Sequence, residues 1–256
     1  MRYSGSKRRF MKELTPILME HVGECTLFVD AMMGGANVIS EIPHNAKIGF
    51  EINRYVYALW EHIARKGMEG IPEFVDEKTY NDIKENYINQ TDKYPDYLIG
   101  YVGNCCSYGG AWFNGYARYN PKKKEDHIRE AYRGLKKQVE NFKHLGVTQF
   151  ANHSYEDIQY MWEAIEPHAD MVIYCDPPYA NTKKYESDFD HAKFWDWVRM
   201  MSLRKGVYVY VSEYDAPSDF KCVWEKRKKD GMGTTKSGKK QNNKIERLFV
   251  YDCKKF

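Results

Sequence analysis

Met171-Val172-Ile173-Tyr174-Cys175-Asp176-Pro177-Pro178-Tyr179 opens on five consecutive apolar residues and closes on an acidic residue, two prolines and a tyrosine. An unbroken apolar run of this length is the pattern of a strand buried on both faces, as in parallel sheets covered by helices on each side. In open sheets of that kind ligands bind beyond the carboxyl ends of the strands. Asp176 to Tyr179 occupy such a position.

The flanks repeat the pattern. Upstream, Phe10, Leu14, Ile17, Leu18 and Val22 recur at helical spacing between Arg8 and Val22. Thr26–Asp30 reads as a short strand that stops at Gly34-Gly35, and residues 37–42 as the start of a helix broken at Pro43. Lys47–Glu51 reads as the next strand. Asn53 then caps a helix through Lys66, with Val56, Leu59, Trp60 and Ile63 on one side. Downstream, Val147–Phe150 is a strand and Ser154 caps a helix to Ile165. Residues 190–203 form a helix, and Val207–Val211 and Ile245–Tyr251 are strands. Strands alternating with helices predict an α/β, doubly wound, mostly parallel sheet. Residues 71–145 differ in character. Tyr101–Tyr119 is rich in Gly, Asn and aromatic residues, and its glycines argue against a long regular element there. The chain therefore divides into 1–70 and 146–256, which build the sheet, and an inserted region at 71–145.

Composition narrows the function classes. The 256 residues carry a net charge of only +3, yet residues 219–256 hold 12 Lys/Arg against 5 Asp/Glu. A local basic surface of this kind suits phosphate contacts. The six cysteines form no C-x-x-C pair and no Cys/His spacing of a zinc site, so no metal is expected. Unpaired cysteines, no signal peptide and no apolar run near the roughly 18 residues of a membrane span predict a cytoplasmic protein without a membrane partner.

The turn after Cys175 carries specific chemistry. The prolines fix φ and remove two N–H donors, which leaves carbonyls held in place. The Asp176 carboxylate and the Pro177 carbonyl are two acceptors, and an exocyclic NH2 has two hydrogens to donate. Tyr179 adds a flat face for stacking. Two acceptors on an aromatic amine favour a pyramidal nitrogen whose lone pair attacks a methyl group in line. The tetrapeptide is expected by chance in about one chain of this length in a thousand. Glu51, 21 residues after Asp30, ends a predicted strand where a carboxylate accepts from both hydroxyls of a ribose.

With these motifs in place, the chain resembles the Dam-like (D12 class) DNA adenine-N6 methyltransferases, especially their phage-encoded members. The resemblance covers nearly the whole chain. It rests on Tyr3-Ser4-Gly5-Ser6-Lys7, on Asp30-Ala31-Met32-Met33-Gly34-Gly35-Ala36-Asn37 and on Asp176 to Tyr179. Thr182-Lys183-Lys184-Tyr185 with Phe189-Asp190, and Val211-Ser212-Glu213-Tyr214, add to it. It departs from the family where Ala31-Met32 replace Pro-Phe and Ala36 stands at the second glycine of the loop. What it implies is a Rossmann-like methyltransferase fold with an inserted DNA-recognition subdomain, S-adenosyl-L-methionine as cofactor and double-stranded DNA as partner.

The resemblance also implies roles. Asp176, Pro177 and Tyr179 hold the target adenine. Tyr3, Lys7, Asp30, Met33, Gly34, Gly35, Asn37, Glu51, Phe150, Ser154, Tyr155 and Asp176 form the cofactor site, with Phe150, Ser154 and Tyr155 near the cofactor's adenine. Lys7 is open to three readings: a contact to the cofactor carboxylate, a neighbour of Asp176, or a surface lysine. Tyr108, Trp112, Asn114, Tyr116, Arg118 and Lys122 in the insertion, with Lys183, Lys184 and Tyr185 after the catalytic motif, are the candidate DNA contacts. The reaction expected is methylation of an adenine turned out of the duplex, in a bacterial or phage-infected cell, with or without a partner restriction enzyme. The alternatives are a DNA-binding protein that has lost catalysis and a methyltransferase for another amine, such as cytosine N4, RNA or a protein amide.

Overall fold

The computed structural model describes residues 1–24, 26–144, 147–165, 170–179, 189–227 and 245–252. Among the described residues seven strands form one sheet: β1 (Leu27–Asp30), β2 (Ala46–Phe50), β3 (Val147–Ala151), β4 (Met171–Cys175), β5 (Val207–Glu213), β6 (Phe220–Arg227) and β7 (Ile245–Tyr251). Their order is β3-β2-β1-β4-β5-β7-β6. The first five in that order run parallel, while β7 is antiparallel to both β5 and β6. The sheet is doubly wound and mostly parallel, as the alternating pattern predicts. Chain order turns around between β1 and β4, so a crevice opens beyond their carboxyl ends.

Helices α1 (Met11–Leu18), α2 (Arg54–Lys66), α3 (Glu77–Asn89), α4 (Asp96–Cys105) and α5 (His127–His144) lie on one side. Their apolar residues merge with Phe28, Val172, Tyr174, Tyr210 and Leu248 of the sheet. Helices α6 (Ile158–Ala164) and α7 (His191–Ser202) cover the other side, over Val29, Ile173, Cys175, Val209 and Val211. Alternate residues of β4 thus enter two different cores, which explains why the sequence there is apolar without interruption. Residues of the 71–145 region, among them Tyr80, Ile99, Tyr101 and Leu135, belong to the first core rather than to one of their own.

The caps follow the sequence. Asn53 accepts from the backbone N–H of Tyr55 and Val56, Asp76 from Thr79, and Asp190 from Lys193. Ser154 and Asp157 form a capping box. Three local expectations need correction. The stretch from Tyr101 is not irregular at its start, because α4 continues to Cys105. Gly100 is there for contact: a Cβ on it would lie against the Tyr55 carbonyl, so the glycine lets α4 seat on α2. Residues 37–42 contain a single 3-10 turn at Ile39–Glu41, since Pro43 leaves no room for more. Strand β6 was not anticipated. It is an edge strand with most side chains exposed, so no apolar alternation marks it.

Candidate active site

A cleft of about 960 Å³ lies at the carboxyl ends of β1, β2 and β4, near the upper end of the size range for small-molecule sites. One end of it is the turn after β4. Lys7 is 3% exposed, and its ammonium reaches both Asp176 carboxylate oxygens at 2.8 Å and the Gly5 carbonyl at 3.1 Å. These three bonds use all three ammonium donors. Of the three readings of Lys7, the structure places it beside Asp176 and rules out a surface lysine. About a quarter of the Asp176 side chain still faces the cleft. Burial raises its carboxyl above the usual range, and Lys7 opposes that shift.

Tyr179 donates its hydroxyl to Glu246 Oε2 at 2.8 Å. Its ring stands edge-on to Tyr214 with centroids 4.4 Å apart, and the Lys7 ammonium lies 4.7 Å from the ring centroid. Glu246 is 4% exposed and 3.9 Å from Lys7. The motif that reads as a tetrapeptide is therefore one part of a network of Lys7, Asp176, Tyr179 and Glu246 drawn from three distant segments. Glu246 and the role of Tyr214 escaped the sequence reading. A glutamate near the start of the strand Ile245–Tyr251, next to Arg247, carries no signal that would have flagged the former.

The other end of the cleft surrounds Asp30, at the tip of β1. Asp30 is 1% exposed; its Oδ2 accepts from the Ile39 N–H at 3.3 Å and its Oδ1 has no partner. Burial, with the nearby Asp176 charge second, pushes its carboxyl up to about 8. Gly34 sits at φ +45°, and a Cβ there would come within 2.7 Å of the Tyr3 ring. The loop is tied down from behind. Trp60 donates to the Gly34 carbonyl at 2.9 Å, and Gln138 donates to the carbonyls of Gly35 and Ala36 at 3.0 and 2.7 Å. Ala36 takes φ +50°, a left-handed conformation that suits glycine, so the residue type that the resemblance expects here has a backbone reason. Glu51, after β2, accepts from the Asn53 N–H at 2.7 Å, and burial raises its carboxyl to about 7.

Tyr3, Lys7, Asp30, Met33, Gly34, Gly35, Asn37, Glu51, Ser154, Tyr155, Asp176, Pro177 and Tyr179 all line this one cleft. Phe150 does not. It packs on Trp60 and Phe142, because β3 turns that residue toward the helices of the first core. The residues present fit S-adenosyl-L-methionine. The lone buried acceptor of Asp30 calls for a cationic or hydroxylic donor, and Glu51 stands one strand away, as a ribose would require.

The candidate DNA contacts separate into groups. Tyr108, Asn114 and Lys122 are exposed. Tyr108 and Asn114 lie on the loop closed by the Ser107–Tyr116 bridge, and Lys122 on the turn closed by Asn120–Glu125. Arg118 is exposed and pairs with Glu77. Trp112 and Tyr116 instead sit within an aromatic cluster. Trp112 packs on Tyr55, Tyr87 and Phe113, while Tyr116 packs on Tyr80 and donates its hydroxyl to the Val75 carbonyl at 2.8 Å. Lys183, Lys184 and Tyr185 lie outside the described residues, as does most of the basic stretch 226–243. Among the described residues no helix is long and apolar enough to cross a membrane, and no group of three or more His, Cys, Asp or Glu could hold a metal ion.

Residues 3–228 match the profile of the family described as D12 class N6 adenine-specific DNA methyltransferase. Among curated proteins, the Type II methyltransferase M.FokI of Planomicrobium okeanokoites is 26% identical over 237 residues, which is 83% of this chain and 35% of that protein. The chain thus spans about a third of the length of the curated relative it matches. Among solved structures, the rRNA methyltransferase aviRa from Streptomyces viridochromogenes aligns over 98% of this chain and 87% of that one, with a TM-score of 0.44 and 11% identity.

Proposed function

The chain belongs to the D12 class of N6 adenine-specific DNA methyltransferases, and from that premise we propose that its cleft methylates N6 of an adenine turned out of double-stranded DNA, with S-adenosyl-L-methionine as donor. The observation that carries the proposal is the pairing of two acids at the tips of adjacent strands. Asp30 and Asp176 end β1 and follow β4, and both face one cleft. One is left with a free acceptor, and the other is held by a buried lysine beside an aromatic face.

Each residue then has a defined task. Asp30, the Gly34-Gly35 backbone and Glu51 would hold the cofactor, which supplies an electrophilic methyl group when bound. Asp176 has both oxygens on Lys7, but a carboxylate offers about four lone-pair sites, so it can still accept one hydrogen of an amine. The carbonyl of Pro177, which also lines the cleft, would be the second acceptor. Lys7 keeps Asp176 ionised against its burial, and that negative charge stabilises the cationic nitrogen formed as the methyl group is transferred. Glu246 fixes the Tyr179 hydroxyl and so sets the plane on which the base stacks. The proton lost from nitrogen afterwards passes to solvent or through Asp176. No covalent enzyme intermediate is required, and buried Cys175, whose thiol burial pushes well up, is no nucleophile. The protein supplies position and field. The exposed basic turn at Lys122–Lys124 would hold phosphates. A cytoplasmic site of action, without metal, accords with this chemistry.

The test is direct. The purified protein, duplex DNA and methyl-labelled S-adenosylmethionine are incubated, and the DNA is digested to nucleosides. Label in N6-methyladenosine of the deoxy series is the expected result. Label in N4-methylcytosine, or none in DNA, overturns the proposal.

A further inference from the structure

Asn104, on α4, is 3% exposed and lines the same cleft. Its Nδ2 donates to the Gly110 carbonyl at 3.2 Å. A carbonyl only accepts, so this bond fixes which amide atom is the oxygen. That oxygen, Oδ1, is buried and has no partner. Trp112 also lines the cleft; its indole Nε1 is likewise buried without an acceptor, and its ring lies against Gly103, the residue before Asn104. Most buried polar atoms of native structures are paired, and here one unpaired donor and one unpaired acceptor belong to residues that both line the cleft.

The surroundings connect Asn104 to the rest of the cleft. The Ser4 N–H donates to the same Gly110 carbonyl at 3.0 Å. A Cβ on Gly110 would meet the Tyr3 backbone, and the Tyr3 side chain in turn lies against Gly34 and Gly35. Asn104 is thus joined through one layer of residues to the loop after Asp30. What is needed at that end is a group with a hydrogen-bond donor for Asn104 and an acceptor for Trp112. A zwitterionic α-amino acid has both, as ammonium and carboxylate.

We propose that Asn104 Oδ1 and Trp112 Nε1 bind the amino-acid end of S-adenosylmethionine, the first accepting from its ammonium and the second donating to its carboxylate. The proposal rests on the cofactor reading above. It gives the 71–145 region a share in the cofactor site. It also moves Trp112 from the DNA contacts to the cofactor contacts.

Calorimetry with two nucleosides tests it without any turnover. S-adenosylhomocysteine carries the amino-acid end and 5′-methylthioadenosine lacks it. Asn104→Ala should weaken the first about tenfold and the second less than twofold. Asn104→Asp keeps an acceptor but cannot donate to Gly110, so it should hold S-adenosylhomocysteine within about threefold of wild type. Trp112→Phe should weaken S-adenosylhomocysteine alone, about threefold. Equal losses for both nucleosides, equal losses in the Ala and Asp variants, or no loss in Asn104→Ala would each overturn the assignment. Wild-type protein that binds neither nucleoside would instead overturn the cofactor reading on which it rests.

Discussion

The two acids at the heart of the cleft are in opposite states. Asp176 has both oxygens on a buried ammonium, and its neighbour Tyr179 is fixed by Glu246. Asp30 has one oxygen on a backbone N–H and the other on nothing. Burial acts on both, but a cation offsets it only at Asp176. The Asp176 end is therefore tied up by partners from this chain, whereas the Asp30 end is left short of donors. On the proposed function, a bound cofactor would stabilise the second end, and the first would stand ready for a base.

The largest effect should come from removing the assembled acid. Asp176→Ala is expected to lower the rate of methyl transfer by about a thousandfold or more, the range found when a group that stabilises developing charge is lost. Affinity for S-adenosylhomocysteine by calorimetry should change little. A joint loss of both would mean that the two ends are not separable. Next comes the cation. Lys7→Met leaves Asp176 without its partner and close to Asp30, and should cost about 3 kcal/mol in urea denaturation. The double variant Lys7→Met/Asp176→Asn should recover most of that. If it does not, the lysine matters through packing rather than charge.

The acid without a partner should reveal itself through pH. In the folded chain Asp30 keeps its proton up to about 8, while an unfolded aspartate loses it near 3.8. The folded state binds more protons between those values, so its stability is full below about 4 and falls as pH rises toward 8. Glu51, raised to about 7, acts in the same direction. The melting temperature of the ligand-free protein should drop between pH 6 and pH 8.5, and Asp30→Asn should flatten much of that slope. A slope unchanged in Asp30→Asn would remove this acid from the account.

The smallest effects separate two positions of one loop. Gly34→Ala would press a Cβ against the Tyr3 ring at a left-handed backbone, and should cost about 1–2 kcal/mol. Ala36→Gly relieves strain of that order but loses a buried methyl and adds freedom to the unfolded chain, so stability should stay within about 1 kcal/mol of wild type. Thermal melts of the two variants would show whether the left-handed backbone alone, or the contact with Tyr3, sets the cost.

Much of this was legible in the sequence, for identifiable reasons. Strand β4 is apolar on both faces, and a Pro-Pro turn follows it, so its place and the site at its tip needed no partner information. Caps such as Asn53 and Ser154 act within a few residues and could be read locally. Edge strand β6 could not, because exposure leaves it without an apolar period. Phe150 enters the cofactor site only through the resemblance, and which side of β3 its ring faces depends on register with β2.

The sequence by itself determined the alternation of elements, the acid at the tip of each central strand and the glycine loop after the first of them. These are fixed by hydrophobic periodicity and by the conformational limits of proline and glycine, both local properties. Only the tertiary structure decided that Lys7 holds Asp176 across 169 positions of chain, that Glu246 holds Tyr179, and that Asn104 faces the cleft. Those are pairings between charges and hydrogen-bond groups from distant segments. A pairing of that kind exists only once packing has brought the segments together, and no local pattern of residues encodes it.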